Sequence, residues 1–117
     1  AVWKLYTTGA AGAQGLVGQA MIHRLSQRPG VAVWPFEMAE AKVVLAEVYP
    51  SLLERAVRAD KGRIKDEIQV RLLAKALYSL SQTGQLSDLL AAPPLSARGE
   101  EGWILGAGQQ GLLETGL

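Results

Sequence analysis

One short run, residues 42–53, constrains the fold of this chain more than any other stretch. The β-prone apolar residues Val43–Leu45 lead into the carboxylate of Glu47, and Pro50 then ends the strand pattern. A continuous apolar run of this kind is typical of a parallel strand that is buried on both faces. Ligands of open α/β sheets bind outside the carboxyl ends of such strands. We therefore expect Glu47 at a functional sheet edge, and the open alternative is an ion pair with a nearby arginine.

Helical and strand patterns alternate around this run. A helical pattern begins at Gly12, a strand pattern follows at Val31–Trp34, and the longest helix is predicted from about Ile64 to Gln82. Alternation of this kind predicts an α/β domain, with a small and mainly parallel sheet covered by helices.

The length of 117 residues is that of one domain. Residues 1–95 are predicted to form the α/β core, which opens with a strand pattern at 2–6. Residues 96–117 are predicted to be a glycine-rich tail in which Trp103-Ile104-Leu105 docks and the last residues are mobile. Because the chain goes directly from Ala1 into strand-like residues, we expect the core to belong to a larger domain.

Composition excludes several classes of function. The 12 basic and 11 acidic side chains nearly cancel, so net charge does not indicate a nucleic-acid or membrane partner. The absence of cysteine excludes disulfides and zinc–thiolate sites, and it agrees with a cytoplasmic location. No stretch approaches the roughly 20 apolar residues of a membrane-spanning helix. We therefore expect a soluble protein with no membrane partner.

Acidic residues at element ends are the main candidates for chemistry. Glu37 and Glu47 follow consecutive strand patterns, and Asp66 and Glu67 open the long helix. Magnesium binds carboxylate oxygens and keeps several waters, so a few converging acids can hold it. We predict Glu47, Asp66 and Glu37 as magnesium ligands. Acids in a first helical turn are also stabilising without any function, because they oppose the helix dipole.

A net positive segment, residues 55–65, precedes the long helix. Arg58, Lys61 and Arg63 are the candidates for binding phosphate groups, with a solvated surface as the alternative. The aromatic residues are spread too widely along the chain to predict a base-stacking surface; they include Trp3, Trp34, Tyr49 and Trp103.

Two further features are weaker candidates. The glycines from Gly9 to Gly18 lie where a phosphate-binding loop would lie, but they lack the spacing of the known loops, which favours tight helix packing over anion binding. His23, the single histidine, shares its helix with glutamines and is best explained as a solvated surface residue.

Five blocks of sequence together resemble one known family. They are Trp-Lys-Leu-Tyr-Thr-Thr-Gly-x-x-Gly-x-Gln-x-Leu-x-Gly near the start, Val-Trp-Pro-Phe-Glu, Ala-Glu-Val-Tyr-Pro-Ser-Leu, Ile-Lys-Asp-Glu-x-Gln-Val, and Glu-Glu-Gly-Trp-Ile-Leu-Gly near the end. Over positions 3 to 106 the chain is similar to the C-terminal half of a bacterial family of uncharacterised proteins, regarded as predicted nucleases with a ribonuclease H-like fold. Some relatives are labelled as molybdopterin or cobalamin synthesis proteins.

The resemblance implies roles for two residues. Glu47 resembles the strand-end acid of such a site, and Asp66 resembles the acid on the last helix. The first acid of such a site normally lies on the opening strand of the full domain, where this chain has Lys4 instead. The resemblance thus implies a metal-dependent phosphodiesterase or nuclease-like domain that is incomplete and inactive as this fragment.

The alternative function is a non-catalytic ligand-binding or accessory domain linked to molybdopterin or cobalamin synthesis. In it, the Gly9–Gly18 loop would accept an anionic ligand. Nucleic acid or a phosphorylated small molecule is the expected partner of the chain, and a homodimer is a further candidate.

Overall fold

The computed structural model describes residues 12–37, 41–91 and 102–117. These residues belong to two compact units. Unit 1 holds the described residues of Ala1–Val33 and Glu37–Leu45, and unit 2 holds those of Trp34–Phe36 and Ala46–Leu117. Helices and a parallel pair of strands are both present, so the predicted α/β class is confirmed. The strand pattern at 2–6 lies outside the described residues.

The described residues of unit 1 form one helix and two strands. Helix α1 spans Gly12–Ser26, strand β1 spans Val31–Val33 and strand β2 spans Val43–Leu45. The strands pair in parallel, with Val31 opposite Val43. Gly30 turns the chain into β1 with φ of 78°, a value that glycine adopts without steric cost. Its carbonyl oxygen accepts hydrogen bonds from the N–H groups of Lys42 and Val43, which sets the start of β2 beside the start of β1.

The strands are shorter and less buried than the sequence predicted. Val43 is half exposed, and Ala32 is the one fully buried residue of β1 and β2. The sheet has only two strands within the described residues, so each of the two strands also forms an edge of the sheet. A sheet this small offers little surface against which both faces could pack.

The apolar face predicted for α1 is also uncovered. Leu16 is 59% exposed, Val17 is 79% exposed and Met21 is 56% exposed. Helical periodicity indicates only which apolar residues share a face of the helix. Burial of that face requires a second element that packs on it. The described part of the chain does not cover this face.

Unit 2 is built around its longest helix. A 3₁₀ turn at Pro50–Leu53 leads into α2 (Glu54–Ala59), followed by α3 (Lys65–Gln82), α4 (Leu86–Ala91) and α5 (Gln110–Thr115). Each of the other helical elements described in the unit contacts α3. The buried face of α3 has helical spacing and consists of Ile68, Leu73, Ala76 and Leu80.

A buried tryptophan fixes α4 within unit 2. Trp34 is only 3% exposed, and its indole N–H donates a 2.8 Å hydrogen bond to the carbonyl oxygen of Leu90. Leu89 beside it is fully buried. The ring therefore satisfies its polar atom while burying its apolar body, which is the usual condition for a buried indole.

The C-terminal residues are part of unit 2 and pack against its earlier elements. Ile104 forms a parallel bridge with Glu47, and Leu105 N–H donates a 2.9 Å bond to the Glu47 carbonyl oxygen. The sequence predicted mobile last residues, but the structure has α5 there, with Leu113 fully buried. A Cβ on Gly116 would lie 2.5 Å from the carbonyl oxygen of Ala76, so the absence of a side chain permits this close approach to α3.

Candidate functional site

Glu47 lies just beyond β2, on an extended segment held by its own backbone. Its carbonyl oxygen accepts the bond from Leu105, while its side chain is exposed. The sequence placed this carboxylate at the end of a strand, and the structure places it two residues after Leu45. The backbone is thus fixed and the carboxylate faces solvent, a suitable arrangement for binding a ligand.

Asp66 is the second residue of α3 and is exposed. No side chain caps this end of the helix, so the N–H groups of the first turn are open to solvent or to an acidic side chain. Its neighbour Glu67 differs from it, because Arg63 donates a 2.9 Å hydrogen bond to the Glu67 carboxylate. Of the two acids in this turn, Asp66 is therefore the one free to bind a ligand.

Glu37 has a structural role. Its Oε2 accepts a 3.3 Å hydrogen bond from the backbone N–H of Val33, and its own N–H donates to the Val33 carbonyl oxygen. These bonds close the turn that follows β1. Glu37 belongs to unit 1, whereas Glu47 and Asp66 belong to unit 2.

Within residues 12–37, 41–91 and 102–117, no three acidic or histidine side chains are grouped so that they could hold a metal ion. The three predicted ligands Glu37, Glu47 and Asp66 consequently do not form a cluster of that kind. What unit 2 offers is two separate exposed carboxylates.

The other described acids of unit 2 differ from these two carboxylates in whether they have a partner. Most of the acids are engaged: Glu54 with Arg58 and Lys65, Asp60 with the N–H of Gly62, Glu67 with Arg63, and Glu114 with Arg55. Among the described residues of the unit, the acids whose side chains have no such partner are Glu47, Asp66 and Asp88. Both predicted ligands are in this small group.

The ion pair of Glu54 changes the pKa of its carboxylate. The hydrogen bond from Arg58, 2.8 Å long, holds the pKa of Glu54 below its ordinary value of 4.5, and the charges of Lys65 and Arg58 add to the effect. Partial desolvation acts in the opposite direction. The net result is that the ionised carboxylate is favoured and stays paired with Arg58 and Lys65.

The predicted phosphate-binding residues also divide into two groups. Arg58 and Arg63 each form an ion pair with an acid four residues away in sequence, Glu54 and Glu67. Lys61 is exposed and forms no ion pair among the described residues. Lys61 is therefore the cation of this set that is most available to a phosphate group.

The glycine-rich segment and His23 lie in unit 1. Residues 9–11 of the segment are outside the described residues, while Gly15 and Gly18 lie in α1, and no described atom would come within 4 Å of a Cβ added to either one. The tight packing favoured by the sequence is therefore not observed at these two glycines. His23 is exposed in the last turn of α1, as expected.

Sequence reasoning missed the surroundings of Glu47. Tyr49 follows it closely in the chain, Trp103 adjoins its bridge partner Ile104, and the ring of Phe36 lies against Gly102. All three rings are exposed. No local signal could have predicted the bridge between Glu47 and Ile104, because it joins residues that are far apart in sequence.

No family model, curated protein or solved structure matches this chain. Within the described residues, no helix combines the length and the apolar composition needed to cross a membrane.

Proposed function

We propose that this chain is part of a metal-dependent phosphodiesterase or nuclease-like domain with a ribonuclease H-like fold, in which Glu47 and Asp66 bind magnesium. Its substrate is nucleic acid or a phosphorylated small molecule, and its location is the cytoplasm. The observation that supports the proposal is that these two carboxylates have no partner among the described residues, whereas most of the other described acids of unit 2 are paired.

Carboxylate oxygens are ligands that magnesium accepts. This ion keeps several waters and is commonly held by one or two carboxylates together with substrate phosphates, so two protein ligands are sufficient for a weak site. Bound magnesium would neutralise charge that develops on the phosphate during hydrolysis. Glu47 and Asp66 would hold the ion. The positive charges of Lys61, Arg58 and Arg63 would position the phosphate group.

The direct test is a magnesium titration followed by NMR of the side-chain carboxylate and backbone amide signals. Signals of Glu47 and Asp66 should shift together with a common millimolar dissociation constant. In Glu47→Gln and in Asp66→Asn, the shift at the remaining acid should weaken about tenfold or more, because one of two charged ligands is lost.

Asp88→Asn is the matched control. Asp88 is also exposed and unpaired in the described structure, and it lies in the first turn of α4. Its substitution should leave the titration unchanged. Unshifted Glu47 and Asp66 signals at millimolar magnesium, or an equal effect of Asp88→Asn, would refute the metal site.

The second candidate is the ligand-binding or accessory domain linked to molybdopterin or cobalamin synthesis. It is favoured by one observation: Gly15 and Gly18 leave open space along α1 that no described neighbour fills. Backbone that is not covered by side chains can be approached closely by an anionic ligand.

Thermal-shift screening separates the two candidates. Nucleotides and pterin-type phosphates should raise the unfolding temperature of the wild-type chain without magnesium if the second candidate is correct. Gly15→Ala with Gly18→Ala should abolish that rise, whereas Glu47→Gln should not. No stabilisation by any of these ligands would count against the binding domain.

A further inference from the structure

Two cations from two helices of unit 2 lie beside the carboxylate of Glu54. Arg58 belongs to α2 and places its Nε 2.8 Å from Oε1 of Glu54. Lys65 is the first residue of α3 and places its Nζ 3.9 Å from Oε2. The other acids that form ion pairs among the described residues each face a single cation. Glu54 is therefore the described acid whose two oxygens are shared between two basic side chains.

This arrangement has the form of an occupied anion site. Arginine and lysine side chains that come from separate elements and face different oxygens of one group are typical of phosphate binding. The hydrogen bond from Arg58 lowers the pKa of Glu54, so the carboxylate is charged at neutral pH. An anion that belongs to the chain itself thus lies where an anion from solvent would bind.

Both cations keep hydrogen-bond donors that no described residue uses. Arg58 donates to Glu54 through Nε, and its side chain is 78% exposed. The Nζ of Lys65 is too far from Glu54 for a hydrogen bond, and the side chain of Lys65 is 62% exposed. A guanidinium and an ammonium each carry several N–H groups. A ligand from solvent can therefore reach both cations.

The charge of the ligand decides whether it displaces Glu54. Exposed ion pairs contribute little to stability, so the carboxylate is held only weakly. It competes nevertheless at an effective concentration of about millimolar or more, because it is attached to the same helix as Arg58. A phosphodiester carries one negative charge, as the carboxylate does, and gains no advantage over it. A phosphate monoester carries close to two charges at neutral pH and binds the two cations more strongly.

We propose that Arg58 and Lys65 bind a terminal phosphate monoester of the substrate, and that Glu54 is an internal competitor that keeps singly charged phosphodiesters out of this site. The inference rests on the proposed function, in which Arg58 positions a phosphate group. It narrows the substrate to a nucleic-acid end or a small molecule that carries a phosphate monoester. Hydrolysis stays assigned to the proposed metal site.

The test is an NMR titration of the full chain at pH 7 without magnesium, with phenyl phosphate and methyl phenyl phosphate as the two probes. These probes differ by one methyl group and about one negative charge. Arg58→Met identifies the Arg58 Nε–H signal by its loss. Phenyl phosphate should shift this signal and the Lys65 amide with one common dissociation constant. Methyl phenyl phosphate should bind about tenfold or more weakly.

Glu54→Gln tests the competition itself. The amide keeps the shape of the side chain but carries no charge, so both probes should bind about fivefold more tightly. Asp60→Asn is the matched control, because it removes the same charge from the same segment. The Asp60 carboxylate accepts a hydrogen bond from the N–H of Gly62 and holds no cation among the described residues. Its substitution should change the affinities by less than about twofold.

Substitutions of the cations test the site. Arg58→Met and Lys65→Met should each weaken binding of phenyl phosphate about fivefold or more, because each removes one of two charged contacts. Arg71→Met is the control for them, since Arg71 is exposed on α3 and forms no ion pair among the described residues. It should leave the affinity unchanged.

Three results would overturn the inference: equal binding of the two probes, equal effects of Glu54→Gln and Asp60→Asn, or unchanged affinity in Arg58→Met. A separate magnesium titration without probe distinguishes it from the proposed function. Magnesium shifts at Glu47 and Asp66 without a phosphate response at Arg58 overturn this inference alone. A phosphate response at Arg58 without those magnesium shifts supports the internal competitor and overturns the metal site.

Discussion

Glycines in this chain have different local surroundings, which give them different roles. Gly15 and Gly18 lie in α1 with no described atom within 4 Å of an added Cβ, whereas Gly116 touches the backbone of α3 at Ala76. A glycine on an uncovered face of a helix only destabilises the fold, because glycine loses more backbone entropy on folding than other residues do. A glycine in contact with another backbone is required by the packing.

Gly15→Ala and Gly18→Ala should each raise the free energy of unfolding by about 0.5–1 kcal/mol. Gly116→Ala should lower it by about 1–3 kcal/mol, because the new methyl group overlaps the carbonyl oxygen of Ala76. Urea unfolding followed by circular dichroism measures all three. Destabilisation by either α1 substitution would mean that another group contacts this helix.

The stability of the folded protein depends on the ionisation of one carboxyl group, that of Glu54. Arg58 and Lys65 lower its pKa in the folded protein, so the folded state favours the charged form. The stabilisation is complete above the ordinary glutamate pKa and is lost as the pH falls through the lowered value. The sensitive range is therefore acidic, from about 4.5 downward.

Glu54→Gln should remove this component of the pH dependence. Wild type and variant should differ by a constant free energy of unfolding above about pH 5 and should converge at lower pH. Urea unfolding at a series of pH values measures the difference. Because the hydrogen bond from Arg58 is the largest cause of the shift, Arg58→Met should reduce the effect of Glu54→Gln; an undiminished effect would contradict this assignment.

At the scale of elements, α5 connects the C-terminal residues to the core of unit 2. It contacts both α3 and the 3₁₀ turn, and Leu113 is fully buried. A helix of only six residues is not stable alone, so these contacts are what keep α5 helical.

Leu113→Ala should lower the free energy of unfolding by about 2–5 kcal/mol, because it leaves a cavity in the core. Val70→Ala on α3 is the control, since Val70 is largely exposed, and it should change stability by less than about 0.5 kcal/mol. Chemical unfolding of the two variants provides the comparison. Equal stability of Leu113→Ala and wild type would mean that α5 is a loosely attached tail.

At the scale of the whole molecule, the apolar core is distributed unevenly. Among the described residues, Ala32 is the only fully buried apolar residue of unit 1, and the other ten belong to unit 2. Local opening is easiest where few apolar contacts are broken. The two units should therefore differ in local stability.

Hydrogen exchange should show this difference directly. Amides at the centre of α3, around Leu73 and Ala76, should exchange about a hundredfold or more slowly than those of Val17 and Ala20 in α1. NMR of the intact chain under native conditions resolves the individual sites. Comparable protection of α1 and α3 would contradict the difference inferred from burial.

Local features were predicted well because their causes are local. The structure has α3 at Lys65–Gln82 where periodicity predicted 64–82, and α4 at the predicted Leu86–Ala91. Spacing of apolar residues and a terminating glycine act within a few turns, so they can be recognised in sequence. The length of β2 was overestimated, because an apolar run does not reveal how many neighbours the strand has.

The sequence by itself determined where α1, α3 and α4 form and which side chains can carry charge, including the acids Glu47 and Asp66. Among the described residues, the tertiary structure alone decided which acids are paired, that no described element covers the apolar face of α1, and that Glu47 pairs with Ile104. The physical reason is the separation in sequence between the residues that interact. Helix and strand propensities depend on neighbouring residues, whereas burial and pairing depend on contacts between residues that are distant in the chain and meet only on folding.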